Sequence, residues 1–130
     1  MHPVTVLIVE DSPIVLDRLV ALVASVRGVV IVGQARDGHQ AQQLFQQHRP
    51  DAVVLDLQLP GIGGVDLLIQ FKRSHPACVV MMLTTFNFQE VRQRCISLGA
   101  DYFFEKAREF ERVTEVLGSF KAPRGVEECL

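Results

Sequence analysis

Apolar and polar residues follow one another along the chain in blocks of two kinds. Five short blocks are continuous runs of apolar residues, most of them β-branched or aromatic. Such runs are too short for a helix and lack polar interruptions, so they predict strands that are buried on both faces. The predicted strands are residues 4–9, 29–32, 52–55, 79–83 and 102–104.

Between the strands, apolar residues recur at spacings of three and four, the period of a helix with one buried face. The first such segment begins beside Ser12 and Pro13, which are residues favoured at a helix start, and closes at Gly28. A later segment is rich in glutamine, which indicates a solvated helix face. The predicted helices are residues 14–26, 41–47, 65–73, 87–98 and 108–120.

Five strands that alternate with five helices predict an open α/β fold, in which helices cover both faces of a parallel sheet. The 130 residues have the size of one domain. We therefore expect one doubly wound domain over residues 1–121 and a C-terminal tail over residues 122–130. If the strand order is 2-1-3-4-5, the carboxyl ends of strands one, three, four and five meet at one edge, where such sheets bind ligands.

Composition narrows the classes of function. Thirteen basic and fifteen acidic residues leave a net charge of −2, which does not supply the positive field that nucleic-acid binding needs. No apolar run reaches the roughly 18 residues of a membrane span. The three cysteines are odd in number and form no CxxC pair, which favours reduced thiols. We expect a cytoplasmic protein that contacts neither nucleic acid nor membrane.

Polar side chains follow four of the predicted strands at the point where each strand ends. They are Glu10, Asp11, Asp56, Thr84 and Lys106. Three carboxylates in one cleft repel one another unless a cation is present. Oxygen ligands suit Mg²⁺, and the histidines show no ligand spacing that would suggest zinc. The set predicts a Mg²⁺ site held mainly by Asp11 and Asp56.

Beside such an ion, Asp56 can act as a nucleophile toward a phosphoryl donor, because carboxylates form aspartyl-phosphates. Lys106 and Mg²⁺ would offset the charge on the transferred oxygens. Thr84 would donate a hydrogen bond to one of these oxygens.

These residues lie in motifs that resemble the receiver domain of two-component response regulators, across residues 4 to about 120. The motifs are the pair Glu10-Asp11, LDLQLPGIGG around Asp56, Thr84 at a strand end, and GADYFFEKA around Lys106. The resemblance implies a flavodoxin-like fold, a bound Mg²⁺ and phosphorylation of Asp56. The phosphodonor would be a sensor histidine kinase or a histidine phosphotransfer protein.

The resemblance also implies further roles. The backbone carbonyl of Gln58 would ligate the metal, and we expect Glu10 to contact it through water or from a second layer of side chains. Phe103 would be an aromatic switch that turns inward as Thr84 moves toward the phosphoryl group, with a plain core role beside its aromatic neighbours as the less favoured alternative. A downstream protein would bind the face formed by the last two helices and the fifth strand.

The sequence departs from the family pattern at Thr85, where a small residue is common, so access to Asp56 is expected to be narrower. Ala107 replaces a common proline and leaves the conformation of the Lys106–Ala107 peptide bond open. Gln58 and Phe86 lie at positions that tune the phosphoryl lifetime in this family. We expect no output domain after residue 120, so the resemblance is to stand-alone receivers that act by binding partners.

Two other functions are alternatives. A phosphatase or other turnover enzyme could use Asp56 as nucleophile, but no acid stands two residues later to protonate a leaving group. A receiver-like scaffold would bind its partner constitutively, which the intact set of acids, hydroxyl and lysine disfavours. We predict a phosphoacceptor signalling protein and not an enzyme, one that catalyses only its own phosphorylation and dephosphorylation.

Overall fold

A five-stranded parallel sheet forms the centre of the computed structural model, which describes residues 2–85 and 88–129, with residues 121–129 described by their backbone alone. The strands are β1 (Val4–Val9), β2 (Val29–Ala35), β3 (Ala52–Asp56), β4 (Val79–Thr84) and β5 (Tyr102–Glu105). Their order in the sheet is β2-β1-β3-β4-β5, and every neighbouring pair is parallel. The predicted flavodoxin-like topology is confirmed.

Six helices are present in the part of the chain that the structure describes. They are α1 (Pro13–Ala24), α2 (Gly38–His48), α3 (Gly64–Ser74), α4 (Gln89–Ser97), α5 (Lys106–Glu109) and α6 (Arg112–Cys129). Ser12 caps α1 by accepting a hydrogen bond from the Val15 N–H at 3.4 Å. Asp37 caps α2 by accepting one from the Gln40 N–H at 2.9 Å. Over residues 2–85 and 88–129, no helix is long and apolar enough to cross a membrane.

The helices pack on both faces of the sheet and create two cores. On one face α2, α3 and α4 cover side chains such as Leu7 and Leu55, and on the other face α1 and α6 cover side chains such as Ile8 and Val54. Successive residues of a strand point to opposite faces, so a central strand needs apolar residues at every position. All five residues of β3 are buried, and Asp56 is its one ionisable residue.

Strand β2 extends beyond the predicted strand, which stopped at residue 32 with the apolar run. It continues through Gly33 and Gln34 to Ala35, which pairs with Val9. Because β2 lies at the edge of the sheet, some of its side chains reach solvent, including Val30. An edge strand therefore does not need a continuous run of apolar residues. Predicting strands from such runs, which suits central strands, places the end of β2 too early.

The predicted helix over residues 108–120 is two helices in the structure, which corrects the predicted number of helices from five to six. Helix α5 ends at Glu109, α6 begins at Arg112, and Phe110 is buried between them. The Arg18 guanidinium of α1 lies 4.4 Å from the centroid of the Phe110 ring. The Glu109 carboxylate accepts a hydrogen bond from the Glu105 N–H at 3.1 Å. Tertiary contacts accompany this break, which no glycine or proline marks in the sequence.

The backbone of α6 continues to Cys129, so residues 122–129, predicted as a tail, are helical. Leu130 lies outside the described residues. The division of the chain into a domain over residues 1–121 and a tail stays a prediction.

Candidate functional site

Three carboxylates meet at the carboxyl edge of the sheet. Glu10 and Asp11 follow β1 and Asp56 ends β3, and one carboxylate oxygen from each lies within 4.8 Å of the others. Glu10 and Asp56 are buried, whereas Asp11 is exposed. Backbone N–H groups orient the two buried acids: Ser12 donates to Glu10 Oε2 at 3.1 Å, and Gln58 donates to Asp56 Oδ1 at 3.2 Å.

Lys106 supplies a positive charge to this cluster from the residue after β5. Its Nζ lies 2.7 Å from Glu10 Oε1 and 3.2 Å from Asp56 Oδ1. Burial would lower the pKa of Lys106, but its contacts with Glu10 and Asp56 outweigh burial and raise the pKa. The Glu10 side chain is buried, and its Oε1 forms an ion pair with the Lys106 ammonium group. One ammonium group thus faces more than one carboxylate.

The pKa of Asp56 is raised from 3.8 to about 7. Burial is the largest cause and the negative charge of Glu10 is the second, while Lys106 and the Gln58 N–H act in the opposite direction without cancelling them. The site therefore lacks positive charge for an ionised Asp56. A divalent cation that prefers oxygen ligands would supply that charge, so the donor set fits Mg²⁺.

The predicted switch residues lie in β4, which neighbours the strand of Asp56, and in β5, which neighbours β4. Thr84 is the last residue of β4 and is fully buried, and Phe103 in β5 is 2% exposed, with its side chain in the core formed with α2, α3 and α4. The backbone pairs Met82 with Phe103. The structure thus brings Glu10, Asp11, Asp56 and Lys106 together. The roles of Thr84 and Phe103 stay predictions, as does that of the Gln58 carbonyl.

A glycine at the start of α3 allows this helix to pack directly against the backbone at the end of β3, beside Asp56. A Cβ on Gly64 would overlap the carbonyl oxygen of Asp56 and would lie 2.7 Å from that of Leu57. Gly61 has a φ of 76°, which side chains disfavour. Gly63 meets neither constraint, since its φ is −73° and a Cβ there would have open space. The tight packing of α3 against the end of β3 therefore depends on Gly64.

The sequence departs from the family pattern at Ala107 and Thr85. The structure answers the question raised at Ala107 but does not test the expectation at Thr85. No peptide bond among the described residues is cis, so the Lys106–Ala107 bond is trans. Thr85 is exposed directly after β4, and its effect on access to Asp56 stays a prediction. Phe86, predicted to affect the phosphoryl lifetime, lies outside the described residues.

Sequence reasoning missed two arginines beside the predicted residues. Arg36 follows β2, and its guanidinium donates to the Asp11 carbonyl at 3.4 Å. An open cleft here is lined by Asp11, Arg36, Asp37, Gln40 and Pro60. Arg92 of α4 contacts Phe103. Arg36 could have been found from its place after a strand, but Arg92 is one of several charged residues on an exposed helix and gives no such signal.

The sequence matches the family described as the response regulator receiver domain over residues 6–118. It is 35% identical over 125 residues to "Probable transcriptional regulatory protein TcrX" of Mycobacterium tuberculosis, covering 96% of this chain and 53% of the relative. It is 28% identical over 114 residues to "Response regulator GacA" of Pseudomonas aeruginosa, covering 88% of this chain and 53% of the relative. The chain spans about half the length of these curated relatives.

Solved structures agree with the fold. A chain in the crystal structure of the CheX–CheY–BeF₃–Mg²⁺ complex from Borrelia burgdorferi superposes with a TM-score of 0.77 at 27% identity. The match covers 88% of this chain and 90% of that chain.

Proposed function

Because the chain belongs to the response regulator receiver domain family of two-component systems, we propose that Asp56 accepts a phosphoryl group and that this modification switches a partner-binding surface. The donor would be a sensor histidine kinase or a histidine phosphotransfer protein. The observation that carries the proposal is the convergence of three carboxylates and one ammonium group at the carboxyl edge of the sheet. This is the edge at which doubly wound sheets bind ligands.

The same residues would hold Mg²⁺. Asp11 and Asp56 would contribute carboxylate oxygens, Gln58 its backbone carbonyl, and Glu10 a contact through water. Bound there, Mg²⁺ supplies positive charge that offsets the charge of the phosphoryl oxygens. Two observations support the fit: three carboxylates and one ammonium group converge, and burial together with the charge of Glu10 raises the pKa of Asp56. The similarity to a chain from a complex that contains BeF₃ and Mg²⁺ adds support.

The transfer forms one bond and breaks another. An Asp56 carboxylate oxygen attacks phosphorus, and the bond from phosphorus to the donor's histidine nitrogen breaks. The imidazole leaves with the bonding electron pair, as a neutral ring when its other nitrogen carries a proton. Lys106, whose Nζ lies 3.2 Å from Asp56 Oδ1, stabilises the charge on the transferred oxygens. The Thr84 hydroxyl donates a hydrogen bond to one of them.

The partner-binding surface would be the face of α4, β5 and α6. Three large apolar side chains are exposed along α4 and β5: Phe88 by 58%, Ile96 by 45% and Tyr102 by 37%. A partner that binds this face would bury these side chains. Phe103 lies beneath this face and beside β4, which ends in Thr84. A movement of Thr84 toward the phosphoryl group can therefore reach the surface through the Phe103 ring.

Labelling with radioactive acetyl phosphate tests the proposal. The unmodified chain is expected to take up label only when Mg²⁺ is present, and Asp56→Asn is expected to take up none. Asp66→Asn is the matched control, because Asp66 is an exposed acid on α3, and it should label like the parent. Equal labelling of Asp56→Asn and the parent would show that the site is wrong. Continued release of phosphate from an external ester, over many turnovers, would instead indicate a phosphatase.

A further inference from the structure

Arg92 joins α4 to β5 through two contacts with one residue. Its Nη1 donates a hydrogen bond to the carbonyl oxygen of Phe103 at 3.0 Å. Its guanidinium carbon lies 5.5 Å from the centroid of the Phe103 ring, within the range of a cation–π contact. A single side chain therefore contacts both the backbone and the ring of the residue proposed as the aromatic switch.

The two contacts depend differently on the position of the ring. The Phe103 carbonyl belongs to β5, which pairs with β4 at Met82, so the sheet determines where this oxygen lies. The hydrogen bond holds the guanidinium beside the strand whatever the ring does. The ring meets the guanidinium in its buried position, where Phe103 is 2% exposed, and a ring that turns to solvent leaves it. The cation–π contact thus favours the buried ring.

A carboxylate on the helix after β5 lies within electrostatic range of Arg92. Glu109 of α5 has a lowered pKa, first because its carboxylate accepts a hydrogen bond from the Glu105 N–H, and also because Arg112 and Arg92 are positively charged. Arg92 is therefore within electrostatic reach of an acid on the helix that follows β5. Its side-chain contacts join α4 to β5.

We propose that Arg92 is a positioning residue that stabilises the buried position of Phe103 and thereby raises the affinity of the site for a phosphoryl group. The inference rests on the proposed function, in which the buried ring accompanies movement of Thr84 toward the phosphoryl group. Linkage requires that a contact favouring the buried ring also favours phosphoryl binding. A cation–π contact at an exposed position corresponds to a change of about two- to five-fold in an equilibrium constant.

The test is a calorimetric titration of the full chain with BeF₃⁻, the phosphoryl analogue, in the presence of Mg²⁺. We expect Arg92→Ala to weaken BeF₃⁻ binding by about two- to five-fold. Arg94→Ala is the matched control, since it removes the same charge from an exposed position on the same helix, and it should bind like the parent. In a Phe103→Leu background, where the ring is absent, Arg92→Ala should have no further effect. Phe103→Met replaces Phe103→Leu if that variant does not fold.

The outcomes separate the inference from the function beneath it. If the parent binds BeF₃⁻ and Arg92→Ala binds it equally well, the inference is wrong and the proposed function stands. The inference also fails if Arg94→Ala has the same effect as Arg92→Ala, or if Arg92→Ala weakens binding equally in the Phe103→Leu background. If the parent does not bind BeF₃⁻ with Mg²⁺ present, the proposed function and the inference both fail.

Discussion

Replacing Asp56 by asparagine is expected to stabilise the Mg²⁺-free protein, although it removes the proposed phosphoacceptor. The substitution removes one buried negative charge and keeps the shape of the side chain. Asp56 is 3% exposed, and burial together with the charge of Glu10 raises its pKa from 3.8 to about 7, in spite of Lys106. Ionisation of Asp56 therefore destabilises the folded protein relative to the unfolded chain.

The raised pKa determines the size and the pH range of the effect. Between pH 3.8 and about 7 the folded protein binds more protons at Asp56 than the unfolded chain, so the free energy of unfolding falls as the pH rises. A tenfold change in proton affinity is worth about 1.36 kcal/mol. The loss is then about 2 kcal/mol near pH 5.5 and at most about 4 kcal/mol above pH 7. Asparagine does not titrate, so the variant avoids this loss, and its advantage disappears toward pH 4.

Urea denaturation followed by far-ultraviolet circular dichroism, at several pH values and with a chelator, measures the difference. Asp66→Asn is the control, because it removes the same charge from an exposed position. Adding Mg²⁺ should narrow or reverse the advantage of Asp56→Asn, because a cation bound by the folded parent stabilises it. The reasoning is refuted if parent and variant show the same pH dependence in chelator, or if Mg²⁺ widens the gap.

Two other substitutions test the surroundings of the site and the opposite edge of the sheet. Gly64→Ala should lower the free energy of unfolding by about 2 kcal/mol or more, because the new Cβ would overlap the backbone at the end of β3. Gly63→Ala is the control and should change the free energy of unfolding by less than about 1 kcal/mol. Equal effects of the two substitutions in urea denaturation would contradict this reasoning. Lys72→Met should cost about 1–3 kcal/mol, because Lys72 Nζ donates to two backbone carbonyls and to Asp101 Oδ2, at 2.7 to 3.1 Å. Arg73→Met, at an exposed position, is its control, and a similar loss in both variants would count against the network.

The sequence predicted the centre of the sheet and the acidic cluster for a physical reason. The central strands β1, β3 and β4 are buried on both faces, so each must be apolar along its length, and a polar residue at its end stands out. Parallel strands place these ends at one edge. Asp56 and Lys106 are far apart in the chain, yet the strand order alone brings them together.

What the sequence did not predict depends on contacts between distant elements. The break between α5 and α6 involves Phe110 beneath Arg18 of α1, and no local residue signals it. The sequence does not distinguish the adjacent glycines at positions 63 and 64. A Cβ on Gly64 would meet the backbone at the end of β3, whereas a Cβ on Gly63 would have open space. The sequence likewise gives no role to Arg92, because its contacts with Phe103 exist only when α4 packs beside β5. Such features depend on which surfaces meet, and a pattern along one segment does not contain that information.

Tyr102 can serve as an intrinsic fluorescent probe of the protein. It is the only tyrosine of a chain that has no tryptophan. Its ring lies 5.7 Å from that of Phe104, centroid to centroid, and it precedes Phe103 in β5. Ultraviolet emission from the folded protein therefore comes mainly from one fluorophore, next to the residue proposed to move. Stopped-flow recording of that emission can follow switching in time, with no dye attached and no residue replaced.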